Sequence, residues 1–374
     1  MKLSLQLFFF LLCPAAFAQK KTYLIAGTYT GGKSEGVYVY QFDNKKIESK
    51  LVDSAKCSNP TFIAVSPDKK FVYAVNEDAD STMKNGGDVS SFSFNKKTGK
   101  LAFINKQSSG GSHPCYVIVD NTGKWLFAGN YSSGNFSLFP LNKNGGIDIA
   151  KNNVQHFGKG PNTERQEGPH VHGTFLTASN KYLLVPDLGI DKVMVYQFDA
   201  ATGNLTEGKQ PFIQVAGGNG PRHLAFDPSG KHLYIIQELT GTVAAFTFTD
   251  GKAKLFQTIS TLPEDYKGSM GSADIHVSPD GKFLYASNRG EADNLAIYSI
   301  DAATGILKLS GHQSTLGKTP RNFNFDPTGN YLLVANQNSD NIVIFKIDHN
   351  TGLLTDTGKR INVPNPVCIK WIVE

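Results

Sequence analysis

The chain has 374 residues, is 40% apolar and 11% aromatic, and carries 37 glycines and a formal charge of +5. Its lysines are scattered through turns and form no basic stripe interleaved with stacking aromatics, which excludes a nucleic-acid surface. Four cysteines without CxxC or Cys/His spacing exclude a disulfide scaffold and a zinc site.

The amino terminus reads as an export signal. Lys2 is followed by an apolar run, LSLQLFFFLL over residues 3–12, and by the small-x-small site Ala16-Phe17-Ala18. The run is too short to anchor in a bilayer. Residues 1–18 are therefore expected to be removed before Gln19, with no membrane anchor and a periplasmic or extracellular destination. Cleavage would leave Cys57, Cys115 and Cys368, which allow at most one disulfide and are expected to be buried thiols.

Beyond the leader one pattern recurs: proline, an alternating strand, a Ser-Pro-Asp-Gly-Lys type of turn, and a second apolar strand. Copies include PTFIAVSPDKKFVYAVNE from Pro60, PCYVIVDNTGKWLFAGNY from Pro114 and PRHLAFDPSGKHLYIIQE from Pro221. SADIHVSPDGKFLYASNR follows from Ser272 and PRNFNFDPTGNYLLVANQ from Pro320. A looser copy starts at Pro169 with two extra residues before its turn, and the starts are spaced by about 51 residues. A third strand and usually a fourth follow each copy, as in DKVMVYQFD and NIVIFKID. Period-two alternation in four short strands per repeat describes a propeller blade.

Six copies leave two fragments: YLIAGTY and GVYVYQFD near the start, which lack a first strand, and NPVCIKWIV at the end, which lacks the others. Joined, they make a seventh blade. The expected fold is thus all-β, a seven-bladed propeller of four-stranded antiparallel blades over residues 19–374, one domain, with the C-terminal strand closing the ring.

The turns between first and second strands share one face of the disc, so a site belongs on the opposite face. There the starts of first strands supply His113, His170, His172, Arg222, His223, Asp274 and Arg321. The ends of second strands supply Glu77, Asn130, Asp187, Glu238, Arg289 and Gln337. Glu77, Glu238 and Arg289 each lie seventeen residues after the start of their copy. The looser copy, aligned backward from its turn, brings His172 level with Arg222. His172, Arg222, Glu238 and Arg289 therefore converge on one mouth, where histidine or carboxylate serves proton transfer and arginine serves an anion. The same residues also allow a structural Arg222–Glu238 ion pair and polar strand histidines satisfied by backbone. His276 either lines the channel or binds substrate, and Arg165 and Gln166 belong to a loop that either contacts substrate or is merely solvated.

EGPHVHG, VPDLGIDKV, GPRHLAFDPSGKHLY, DIHVSPDGKFLYASNRG and TPRNFNFDPTGNYLLVANQ together resemble the lactonase family of seven-bladed propellers, from Tyr23 to Trp371. That family includes the propeller-type 6-phosphogluconolactonases and is related to carboxymuconate-lactonizing enzymes. The resemblance implies a carboxylic ester hydrolase acting on a sugar lactone. By motif it carries over the histidines His170 and His172 with Arg222, Glu238 and Arg289, so His172, Arg222, Glu238 and Arg289 are expected to be catalytic and His170 a substrate contact. Arg165, Gln166, His276 and Asn130 are expected substrate contacts from their place in the chain. It implies no cofactor, no metal and no partner other than a small-molecule lactone, and a monomer is expected. Export shifts the expected substrate toward an unphosphorylated aldonolactone. The alternatives are a muconate-type cycloisomerase and a non-catalytic binding module.

Overall fold

The computed structural model describes residues 21–82 and 86–374. The export signal lies outside the described residues. Among them, the strands form seven antiparallel sheets of four strands each. The sheet from Pro221 runs in simple order outward through Pro221–Phe226, His232–Gln237, Thr242–Thr249 and Lys252–Ser260. The ring closes as the repeat requires: Pro366–Val373 is the innermost strand beside Thr22–Thr28, with Leu24 opposite Trp371 and Ala26 opposite Ile369.

Burial follows position in the blade. Second strands such as Tyr182–Asp187 and Phe283–Asn288 are buried at every residue, because sheets pack on both faces. Outermost strands such as Glu48–Lys56 meet solvent and carry charge. The turns repeat one chemistry: Asp227 Oδ1 accepts the Lys231 and His232 amides at 3.0 Å each, and Ser229 donates to its other oxygen at 2.6 Å.

The face opposite these turns is shaped by a device repeated at the innermost strands. Pro221 pairs with Gln237 but His223 pairs with Ile236, so Arg222 is the extra residue of a bulge. Cys115 holds the same place between Pro114 and Tyr116, and Arg321 between Pro320 and Asn322. Bulges re-aim side chains, and here Cys115 and Arg321 reach the channel mouth while Arg222 is held just behind it by Glu238. The residue before the proline is left-handed in each case: His113 has φ of 50°, Gly220 of 64° and Thr319 of 60°. For a non-glycine residue that conformation costs on the order of 1–2 kcal/mol, a strain that clusters where geometry must be fixed.

Candidate active site

Two rings of positions meet at the channel mouth. The first holds the residues just after the blade prolines, which include Thr61, Cys115, Arg222 and Arg321, with His172 entering from the looser blade. The second holds the residues just after the second strands, among them Glu77, Tyr131, Glu238 and Arg289. Together with Arg165 from the loop before Pro169 they enclose a cavity of about 210 Å³ lined by Glu77, Cys115, Tyr131, Arg165, His172, Glu238, Arg289 and Arg321.

Glu238 is the hub of one wall. Its Oε1 accepts from Arg165 Nη2 at 2.8 Å, and its Oε2 accepts from Arg222 Nε at 2.9 Å and pairs with Arg289 Nη2 at 3.0 Å. His172 Nε2 stands 3.8 Å from the same Oε2. Burial alone would raise the Glu238 carboxyl, but Arg289, Arg222, His172 and Arg165 together hold it well below the usual carboxylate range. Burial and then Arg222 push His172 well below the usual imidazole range, so the ring is neutral at pH 7. Its Nδ1 lies 3.6 Å from Cys115 Sγ, a thiol whose own pKa burial drives far up. Burial, with help from Arg222 and Arg321 and against the pull of Glu238, lowers Arg289 to about 10.

The facing wall is built differently. Arg321 lies over the Tyr29 ring at 5.5 Å and has no carboxylate within ion-pair distance among the described residues. Glu77 accepts from the Tyr29 hydroxyl at 2.7 Å through Oε1 and from the Thr61 hydroxyl through Oε2. Below the cavity the channel is closed by aromatic packing. Phe62 stacks on Tyr116 at 4.0 Å, Tyr116 meets Phe175 at 4.7 Å, and His223 stands edge-on to Tyr116 at 5.2 Å. His172 and Glu238 are buried, and charge there is therefore poorly screened.

Of the residues singled out from sequence, Glu77, Arg165, His172, Glu238, Arg289 and Arg321 reach the cavity wall. Arg222 does not; at 2% exposure it lies behind Glu238, where Nη1 also donates to the Ala273 carbonyl at 2.6 Å. His170 sits behind Tyr131, stacked on its ring at 4.5 Å while Nδ1 donates to the Tyr131 carbonyl. Gln166 folds the loop that carries Arg165, donating to the Leu188 carbonyl at 2.8 Å and accepting from the Asn162 amide. His276 lies deeper in the channel, with Nε2 3.0 Å from Asp274 Oδ2. Asn130 faces away from the mouth and ties its blade together through the Ser109 carbonyl and Asn135. It ends the second strand, so the pleat turns Asn130 outward and delivers the next residue, Tyr131, to the cavity. The spacing held that signal, since Tyr131 is seventeen residues after Pro114 just as Glu238 is seventeen after Pro221. Asp187 is displaced in the same way and instead accepts the His170 and Gly189 amides.

Comparison with known proteins agrees with this fold. Residues 23–371 match the family model described as "Lactonase, 7-bladed beta-propeller". The 6-phosphogluconolactonase of Bacillus subtilis is 38% identical over 92% of this chain and 97% of that protein. The 6-phosphogluconolactonase of Formosa agariphila is likewise 38% identical, over 88% of this chain and 94% of its own. The solved structure of a periplasmic gluconolactonase from Pseudomonas aeruginosa superposes with a TM-score of 0.88 at 32% identity, covering 94% of this chain and 99% of that one.

Proposed function

We propose, because the chain belongs to the lactonase family of seven-bladed β-propellers, that it hydrolyses the ring ester of a sugar lactone in the cavity at its channel mouth. The observation that carries this reading is the surplus of cations: Arg165, Arg289 and Arg321 on the wall and Arg222 behind it face two carboxylates, Glu77 and Glu238. Attack on a lactone carbonyl places negative charge on the carbonyl oxygen, and fixed guanidinium groups in a poorly screened site stabilise that charge without reorganising. Arg289 and Arg321 are the groups offered to it.

Glu238 then serves the arginines more than the water. A carboxylate held so low is a weak proton acceptor, since efficient bases titrate near the working pH. Its work is to orient Arg165, Arg222 and Arg289 and to offset their mutual repulsion. His172 is neutral and has both ring nitrogens directed at protein groups, Cys115 and Glu238.

The export pattern of residues 1–18 and the periplasmic Pseudomonas relative support an exported protein, for which an unphosphorylated aldonolactone is the fitting substrate. Among the described residues no helix is long and apolar enough to cross a membrane. The test is acid release by the purified protein in a pH-stat over a lactone panel that includes glucono-δ-lactone and its 6-phosphate. Rates well above spontaneous hydrolysis are expected on at least one aldonolactone, and background rates on every lactone refute the assignment.

A further inference from the structure

On the reading that this cavity hydrolyses lactones, we propose that Glu77 is the base that activates the attacking water. Glu77 differs from Glu238 in the company it keeps. Two hydroxyl donors, Tyr29 and Thr61, each occupy one acceptor site on separate carboxylate oxygens. Each oxygen has a second lone pair, which the described hydrogen bonds leave open to the cavity. No guanidinium or ammonium group is bonded to it among the described residues, whereas Glu238 is bonded to three guanidiniums at 2.8–3.0 Å. A hydroxyl orients a carboxylate without cancelling its charge; a bonded cation withdraws the charge that would accept a proton.

The other acceptors on the cavity wall are weaker bases. His172 meets the Cys115 thiol through Nδ1, and burial and then Arg222 hold its imidazole well below the usual range, so it takes a proton poorly. The Tyr131 hydroxyl accepts from Arg165, and burial raises its pKa against the pull of that arginine, which keeps it protonated. Burial likewise raises the Tyr29 phenol, which keeps it a donor to Glu77 at neutral pH. Arg321, placed over that same Tyr29 ring, stands on the Glu77 side of the cavity with no ion-pair partner among the described residues, so base and oxyanion donor sit together.

The step balances. Water oxygen forms a bond to the lactone carbonyl carbon as one of its protons passes to a Glu77 oxygen, and the carbonyl π pair moves to the oxygen facing Arg321 and Arg289. Collapse re-forms the carbonyl and breaks the bond from its carbon to the ring oxygen. That oxygen takes the proton back from Glu77, giving a hydroxyl and a carboxylic acid that ionises into solvent. The carboxylate is regenerated.

Glu77→Gln keeps the size of the side chain and an acceptor for Tyr29 but cannot take the proton. On the best lactone of the panel it should lower kcat by about 10²–10⁴-fold, the usual size of a general-base contribution, while KM changes by less than about threefold. Glu77→Ala should lose as much and regain activity with added formate, in proportion to formate concentration, a rescue that a structural role would not produce. Glu77→Gln protein with wild-type kcat overturns the proposal and leaves lactone hydrolysis standing, and so does a loss expressed in KM alone. Formate that fails to rescue a folded Glu77→Ala protein overturns it too. A wild-type protein inactive on every lactone removes the reading on which it rests.

Discussion

Two buried clusters of charge adjoin each other near the channel axis, and they are resolved in opposite ways. Around Asp274 every demand is met: Oδ1 accepts from His223 Nδ1 and the Ile275 amide, and Oδ2 from His276, Asn322 and the Phe323 amide. His223 is held neutral, lowered to about 3 by burial and then by Arg222, so one carboxylate is balanced by neutral and backbone donors. Around Glu238 the arginines outnumber the carboxylates, and among the described residues Arg321 has none of its own. Arg222 belongs to both, with Nε on Glu238 and Nη1 on the Ala273 carbonyl beside His223. A satisfied buried network specifies a fold; an unbalanced one opening on a cavity leaves charge for a ligand.

The closed cluster is tied to ring closure, because Asn322 Oδ1 also accepts the Ile369 amide of the C-terminal strand at 2.8 Å. Deleting residues 366–374 should therefore cause the largest effect, loss of any cooperative melting transition, since it opens the ring and unravels the Asp274 network together. A truncated protein that still melts cooperatively would detach this network from closure. Asp274→Asn comes next. It sets an amide against donors and should cost about 3–5 kcal/mol of stability by denaturant titration, with turnover per folded molecule changed less than about tenfold. Glu238→Gln should also destabilise, by about 3 kcal/mol, because three guanidiniums lose their counter-charge. Unlike Asp274→Asn, it should lower turnover per folded molecule by about 10² or more.

Acid provides a subtler separation. His172 and His223 have folded-state pKa values below the unfolded value of about 6.5, so below that pH the unfolded chain binds protons that the folded protein refuses. Their stability is complete above about pH 6.5 and is lost as pH falls, by at most about 2 kcal/mol for each histidine at pH 5. Glu238 and Asp274, both depressed, contribute stability above the unfolded carboxylate pKa and lose it only further toward acid. The window from about pH 6.5 to 4.5 thus reports the histidines. His172→Gln should reduce the fall in stability between pH 7 and 5, and an unchanged slope would show that His172 does not set it. The smallest effect belongs to Arg165→Ala. Its side chain is 43% exposed, so stability should change by less than about 1 kcal/mol, with substrate capture weakened more than kcat. A large loss of stability would make it a structural rather than a substrate-facing arginine.

The blades were legible because proline, turn and strand recur at a fixed spacing, and that spacing brought Glu238 and Arg289 to the mouth; it brought Arg222 there too, whereas Arg222 lies buried behind Glu238. The bulge was not legible, since the extra residue after each proline leaves the alternation of the strand intact. Without it, Arg321 reads as one more polar strand start, though it follows Pro320 as Arg222 follows Pro221. Asn130 misleads for a related reason: a polar residue at a strand end looks available for ligand, whereas its amide is spent on the Ser109 carbonyl within the blade. Gln166 and His170 have the residue types of a binding site, but their partners, Leu188 and Tyr131, come from distant positions that sequence spacing does not reveal.

The division between the two clusters is tested most directly by pH-stat lactone turnover of wild type, Arg289→Ala and Asp274→Asn, each normalised to its folded fraction. Arg289→Ala should melt close to wild type and lose about 10²-fold in kcat/KM, while Asp274→Asn melts early yet turns over within about tenfold of wild type. Full activity in folded Arg289→Ala, or activity abolished in folded Asp274→Asn, would contradict the assignment of catalysis to the charge-rich mouth.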